Sequence, residues 1–329
     1  HQDDDGRWNS DEFSAHDGAE KCDGAGNAAY DVAVTGLALF ALSRMEPHPL
    51  GAGSPLREPL LRGARWLGTQ QAEQNGLIGG NATHDFVYGH AIATLGLCAV
   101  TSATGDETVR TAAQAGLDYL ERHRNPYSVW RYRPRDNDND SSVTTWATLA
   151  NVAGRELGLA VPEVALDMAA VWFDLVTDER GRVGYTKAGE FSSRLVGDHA
   201  QRFPPQQGEA MTAAGLFCLQ LLGRSTKEQP QLERSVALLL AKLPRWEPER
   251  GHVDHCYWFF AAEALRRVGS EELRRFGDQL LAATVKSQHV RGPCAGSWDP
   301  VDPWGENGGR VYSTAMTMLA LQALREPPK

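Results

Sequence analysis

The stretch RPRDNDNDSS at 133–142 sets three carboxylates, Asp136, Asp138 and Asp140, at every second position directly before an apolar run. Carboxylates crowded together repel one another as charges, so one of them keeps its proton to higher pH and can serve as an acid. The same spacing admits two other chemistries. Asp140 or Ser141 can accept the open N–H groups at a helix start, where negative charge also meets the positive end of the helix dipole. The oxygens of DNDND can also gather calcium or another hard cation, although the glycine and closing glutamate of an EF-hand loop are absent.

Other catalytic patterns are missing. The ten histidines show no HExxH spacing, GSWDP at 296–300 is not a nucleophile elbow, and no phosphate-binding glycine loop occurs. The five cysteines lack CxxC spacing. Cys98, Cys218 and Cys256 lie within apolar runs and read as buried thiols. Cys22 and Cys294 lie in the loop sequences KCDGAG and RGPCAG.

What these residues can do depends on the elements that hold them. Six apolar runs recur: YDVAVTGLALFAL (30–42), FVYGHAIATLGLCAV (86–100), SSVTTWATLANVAG (141–154), GEAMTAAGLFCLQLLG (208–223), DHCYWFFAAEALRR (254–267) and VYSTAMTMLALQAL (311–324). Each carries Ala, Leu and small residues on several faces, as a helix enclosed on more than one side should. Between them lie amphipathic segments at 58–71, 107–123, 162–175, 231–243 and 271–288, with apolar residues three and four apart and charge between. Turns such as QQAEQNGLIG (70–79) and QHVRGPCAGSW (288–298) follow the amphipathic segments. The beat of amphipathic helix, turn and apolar helix has a period of about 55 residues. The opening HQDDDGRW has the form of such a turn and predicts the tail of an amphipathic helix before His1, the first outer helix being missing.

Both end pairs look like interior ones, without polar caps, which favours a closed double ring over an open solenoid. The expectation is one domain over 1–329, with apolar helices inside and amphipathic ones outside. Charge is 33 Lys+Arg against 42 Asp+Glu, a net of -9, and only RYRPR at 131–135 is locally basic, so no nucleic-acid partner is expected. No unbroken run of about eighteen apolar residues appears, so no membrane span is predicted, and no signal-peptide pattern opens the sequence.

A ring directs the first residues of its inner helices to one mouth. That places Asp31, His84, Asp85, Tyr88 and His90, together with Asp140, Ser142, Glu209, Asp254, His255, Tyr257 and Tyr312, around a polar, aromatic-rimmed funnel. Each of them can equally cap a helix or fill space. The funnel predicts an elongated apolar small molecule or a peptide as partner, with further domains or a second chain able to complete the site. Closure also brings the KCDGAG and RGPCAG loops together. Cys22 and Cys294 are then either a closing disulfide, which requires an oxidising compartment such as the cell envelope, or two unrelated loop cysteines compatible with the cytoplasm.

The alternation, with QHVRGPCAGSW, HQDDDGRW and TQQAEQNGLIG as its clearest turns, resembles the prenyltransferase and squalene-oxidase repeat of the terpenoid cyclase/protein prenyltransferase family, over almost the whole chain. The closing AGSWDPVDPWGENGGRVYSTAMTMLAL looks most like bacterial repeat proteins of unassigned activity. The resemblance implies an all-α chain, an α/α toroid, and three activities to test. In zinc-dependent protein prenyltransferases a DxCY segment and a histidine bind the metal; VDHCYWFF offers Asp254 and Cys256 at two of these positions, whereas RVYSTAM has Ser313 where the histidine falls. Protonation-initiated cyclases use a DxDD acid in an aromatic-lined cavity. Asp138 and Asp140 match its first and middle Asp with Ser141 last, or Asp136 and Asp138 match them with Asn139 last. Such cyclases normally join two helical domains, and one ring supplies half the cavity. The complement and macroglobulin thioester ring requires GCGEQ, which neither KCDGAG nor GPCAGS provides. Every catalytic set is broken at a residue its mechanism uses. The sequence therefore predicts a binding or scaffold module, with a cyclase-like enzyme using an Asp acid in 136–140 and a zinc-dependent prenyltransferase-like enzyme as alternatives, and no cofactor other than that zinc.

Overall fold

A computed structural model describes residues 1–195, 197–227 and 229–325, and among these the regular structure is helical apart from two isolated bridges, Gln71–Ile78 and Thr177–Val183. The apolar runs form α1 (Asp31–Ser43), α3 (Phe86–Thr104), α5 (Ser141–Glu156), α8 (Ala210–Leu221), α10 (His255–Val268) and α12 (Gly305–Gln322). The amphipathic segments form α2 (Arg57–Thr69), α4 (Glu107–His123), α6 (Glu163–Leu175), α9 (Pro230–Leu240) and α11 (Ser270–Ser287), and a short α7 (Asp198–Arg202) lies in the connection before α8. The apolar helices pack in chain order, α1 on α3, α3 on α5, α5 on α8, α8 on α10 and α10 on α12, and α12 returns to α1. The ring closes, as an α/α toroid.

Burial follows composition. Every residue from Ala210 to Leu219 in α8 is buried, whereas α4 buries one stripe, Val109, Ala113, Gly116, Leu117, Leu120 and His123. Each fully buried leucine of such a stripe contributes roughly 1.5–3 kcal/mol by leaving water. The outer helices lie over the junctions: α2 touches both α1 and α3, α4 both α3 and α5, and α11 both α10 and α12. α3 has the length and mean hydropathy of a membrane-crossing helix, because His90 and its threonines interrupt the apolar run without lowering the average enough. It is nonetheless 72% buried inside the protein, between α1 and α5, as a ring's inner helix is.

Side chains on the inner helices pin the repeated turns. Thr35 Oγ1 accepts Trp8 N at 3.0 Å, His90 Nδ1 accepts Ile78 N at 3.0 Å, Thr144 Oγ1 accepts Trp130 N at 3.3 Å, and Ser313 Oγ donates to Trp298 O at 2.7 Å. The apolar turn residue is thereby held over its own inner helix. α1 and α3 approach closely at Gly36, where an added Cβ would lie 2.7 Å from Ala93 Cα and 2.8 Å from Ile92 O. Backbone cannot yield as a side chain can, so Gly36→Val should cost about 3 kcal/mol, read as a lowered midpoint in urea; an unchanged midpoint would contradict this packing.

The seam between the two ends is stitched covalently and by charge. Cys22 and Cys294 are disulfide-bonded, 272 residues apart in sequence, with Cα atoms 5.0 Å apart. Arg310, buried, donates to Asp23 O at 2.7 Å and pairs with Asp23 Oδ1 at 2.5 Å and Asp299 Oδ1 at 2.7 Å. At the far end of the same helices Gln322 Nε2 donates to Ala41 O at 2.8 Å.

Candidate functional site

Asp140 caps α5. Its Oδ1 accepts Val143 N at 2.8 Å and Ser142 Oγ at 2.7 Å, and the residue is fully buried. Its Oδ2 has no hydrogen-bond partner and faces Arg131 Nε, also unpartnered, at 3.6 Å. Burial pushes the Asp140 carboxyl up to about 6, against the pull of the Val143 N–H, Ser142 and the Arg131 charge. Asp138 is exposed and pairs with Arg131 Nη1 at 3.0 Å; Asp136 is exposed and accepts Asp138 N at 3.0 Å. The guanidinium thus stands next to both Asp138 and Asp140.

Aromatic rings surround this end of α5. The Tyr88 hydroxyl meets Ser142 Oγ, Tyr132 and Tyr185 share a hydroxyl contact of 2.6 Å, and the exposed His84 ring lies 4.4 Å from that of Tyr132. Arg131 lies over Tyr132 at 5.5 Å and Tyr185 at 5.8 Å, within cation–π range. Sequence reasoning missed Tyr132 and Tyr185 as site residues because turns have no period. A signal exists all the same: each stands two residues after the buried apolar residue of its turn, Trp130 and Val183. The raised carboxyl gives a test. Because its folded value near 6 exceeds the unfolded value of 3.8, the native state binds the extra proton between these pH values, and the stabilisation is lost as pH rises through about 6. Asp140→Asn, which keeps the cap, should remove a decline on the order of 2–3 kcal/mol between pH 4 and 7. Equal pH slopes for both proteins in thermal unfolding would refute it.

A second group is sealed. Asp254 caps α10 through Tyr257 N at 2.8 Å and pairs with Arg194 at 3.0 Å. Asp302 accepts His255 N at 3.1 Å, the Tyr312 hydroxyl at 2.9 Å and Trp304 N at 3.2 Å, and burial pushes its carboxyl up to about 6. His255 contacts Thr317 Oγ1 at 3.0 Å, and burial lowers its imidazole to about 4. The Tyr257 hydroxyl sits against the carbonyls of Leu239 and Lys242. The connection carrying α7 covers this side of the mouth, with His199 Nε2 2.8 Å from Pro303 O and Arg202 3.0 Å from Glu306. Zinc does not fit here. Asp254 is already held by the cap and Arg194, and burial followed by the Asp254 and Asp302 charges pushes the Cys256 thiol well up, away from thiolate. Ser313 is turned to Trp298 O and Arg310 O. Among the described residues the grouping with metal-ligand spacing is Cys22, Asp23 and Cys294, and its two sulfurs are bonded to each other.

The other rim residues have structural partners. Asp31 accepts Ser10 N at 2.9 Å and Ser10 Oγ at 2.7 Å and pairs with Arg7 at 3.1 Å. Asp85 accepts the Tyr30 hydroxyl at 2.8 Å, and Glu209 takes Arg182 at 2.8 Å and Thr212 Oγ1 at 2.9 Å. His90 is fully buried; with Ile78 N donating to its Nδ1, its Nε2 donates to Gly116 O at 3.0 Å, and burial holds it neutral, at about 3.

Deeper in, rings from helices that are not neighbours meet across the centre. Trp146 of α5 lies 5.3 Å from Phe260 and 6.5 Å from Phe259 of α10, and Phe40 of α1 lies 6.3 Å from Phe259. Phe217 of α8 joins them. The barrel is plugged at this level.

No protein-family model matches this chain, and no curated protein matches it. Solved structures do. A type II terpene cyclase from Scytonema, in complex with its product merosterolic acid A, shares 16% identity over 98% of this chain and 92% of its own, with a TM-score of 0.55. An α-1,6-mannanase from Salegentibacter shares 11% over 99% and 94%, with a TM-score of 0.61. A sugar epimerase from a ruminal bacterium shares 13% over 98% and 93%, with a TM-score of 0.59. The likeness is one of fold: an α/α toroid of the kind seen in these solved structures.

Proposed function

We propose that this chain is a single-domain binding module that takes its ligand at the α3–α5 side of the mouth, on the platform of Tyr88, Tyr132, Tyr185 and His84 around Arg131. The observation that carries this reading is the contrast within the rim. The carboxylates that acid chemistry would use are engaged as caps and arginine partners, and the centre behind them is filled with rings. The tyrosine platform, by comparison, is partly exposed, and its arginine lies among the rings of Tyr132 and Tyr185. Stacking on tyrosine faces and a fixed guanidinium suit an extended peptide, or an elongated apolar molecule with one acceptor group. The Cys22–Cys294 bond supports an oxidising compartment such as the cell envelope.

The test is binding to immobilised peptide and apolar small-molecule panels by wild type, Tyr132→Ala, Arg131→Ala and Asp136→Ala. Tyr132→Ala and Arg131→Ala should each weaken capture at least about tenfold, a loss of roughly 1.4 kcal/mol, with Asp136→Ala unchanged. Capture that all three variants retain would refute the platform.

One observation supports a second reading, a cyclase-like acid at Asp140: its carboxyl, raised to about 6, has an unpartnered oxygen beside three tyrosines. A proton held only that tightly by burial, and a helix cap that uses the other oxygen, weigh against it.

A further inference from the structure

The seam between the ring's ends carries a second chemistry beneath its disulfide. One ligand atom from each of Cys22, Asp23 and Cys294 lies within 4.8 Å of the others. Tetrahedral zinc, about 2.3 Å from thiolate sulfur and about 2.1 Å from carboxylate oxygen, keeps its ligand atoms roughly 3.5–4 Å apart. Cys294 Sγ is already 3.8 Å from Asp23 Oδ1. Solvent reaches the cluster, the Asp23 side chain being 87% exposed.

The backbones of these residues are held without the sulfur bond. Cys22 N donates to Asp17 Oδ2 at 2.8 Å, and Cys294 O accepts Ser297 N at 3.1 Å and Ser297 Oγ at 2.6 Å. Arg310 of α12 spans the two loops. Its Nε donates to Asp23 O at 2.7 Å, its Nη2 to Asp23 Oδ1 at 2.5 Å and its Nη1 to Ser297 Oγ at 3.1 Å. Cleaving the disulfide therefore leaves both thiols in place, and the sulfurs reach ligand separation by turning about their own Cα–Cβ bonds. Arg310 supports the Asp23 carboxylate as hydrogen-bond donors support metal-ligating carboxylates generally. Its charge also favours thiolate over thiol, and Asp299, 2.7 Å from the same guanidinium, offsets the repulsion of an incoming cation.

We propose that the reduced seam is a zinc site, with Cys22 Sγ, Cys294 Sγ and an Asp23 carboxylate oxygen as ligands and water in the fourth position. A dithiol passes two electrons and two protons to the sulfur pair and leaves as its own cyclic disulfide. Zinc then displaces both thiol protons into solvent. Two thiolates select zinc over calcium or magnesium. Disulfide and metal exclude each other, so the ring's ends are joined covalently under oxidising conditions and by zinc under reducing ones.

The test reduces the protein with a dithiol, removes the dithiol by gel filtration under nitrogen and adds zinc chloride alone. Reduced wild type should retain stoichiometric zinc through a second gel filtration, whereas oxidised wild type and the Cys22→Ser, Cys294→Ser double variant should retain none. Zinc should raise the thermal midpoint of reduced wild type by about 5 °C and leave that of the double variant unmoved. In competition with a chromophoric chelator, reduced Asp23→Asn should hold zinc at least tenfold more weakly than reduced wild type. The proposal is overturned if reduced wild type holds no more zinc than the double variant, or if Asp23→Asn holds it as tightly. It is also overturned if the reduced chain loses its helical circular dichroism, since the fold would then not position the ligands.

Discussion

Glu263→Gln lowers the stability of this protein by about 3–5 kcal/mol at neutral pH. Glu263 lies on α10, only 1% exposed, and receives Arg44 at 2.5 Å, Arg266 at 3.0 Å and Arg267 at 3.1 Å. Arg44 is the residue after α1, and α12 stands between α1 and α10 in the ring, so the pair ties together two inner helices that do not pack directly on each other. Burial alone would raise the Glu263 carboxyl, but Arg44, Arg266 and Arg267 outweigh it and hold it below the usual range. A neutral amide would remove the counter-charge that Glu263 gives the part-buried guanidinium groups of Arg44 and Arg267. The pH dependence follows from the sign: a lowered folded value gives stability that is present above the unfolded carboxylate range and is lost as pH falls through the folded value. Wild type and variant should therefore converge in acid, where Glu263 is itself neutral. Urea titration across pH checks both parts, and a neutral-pH loss below about 1 kcal/mol would contradict the account.

Removing the Cys22–Cys294 bond has an effect of similar size. A crosslink restricts the unfolded chain more as its loop lengthens, and this one spans 272 residues. The chain-entropy estimate is about 5 kcal/mol for such a loop. Cys22→Ser with Cys294→Ser should lose about 3–5 kcal/mol, because the native seam keeps the pairing of Arg310 with Asp23 and Asp299. Thermal unfolding of wild type with and without reductant should reproduce the difference, while reductant leaves the double variant unchanged. Equal midpoints for oxidised wild type and the double variant would contradict a closing role for the bond.

The inner and outer helices were legible because a helix enclosed on all sides and one wetted along a face differ in composition at every turn. The predicted segment 107–123 coincides with α4, whose start Asp106 caps through Thr108 N and Val109 N. α12 begins at Gly305, six residues before the predicted run, because GENGG reads as a turn; Gly309, at φ 61°, does break the helix there. Of the two readings left open for the loop cysteines, the disulfide is the one observed. The mouth was harder to read. That Asp140 would be buried and Asp138 exposed follows from the fold of one short loop, and sequence spacing treats the two alike. Arg194, which seals Asp254, comes from a connection with no periodicity, and Asp302 is one acid within DPVDPW. Their roles exist only once distant segments are folded together.

The claim on which the functional account rests is that the mouth holds a ligand without transforming it. The most direct measurement incubates purified protein with a linear polyprenyl aromatic compound and, separately, with α-1,6-linked mannan, the chemistries handled by two of the fold's solved relatives. Mass spectrometry of the recovered material should find both unchanged in wild type and in Asp140→Asn. A cyclised or shortened product that wild type forms and Asp140→Asn does not would make Asp140 an acid catalyst and contradict the account.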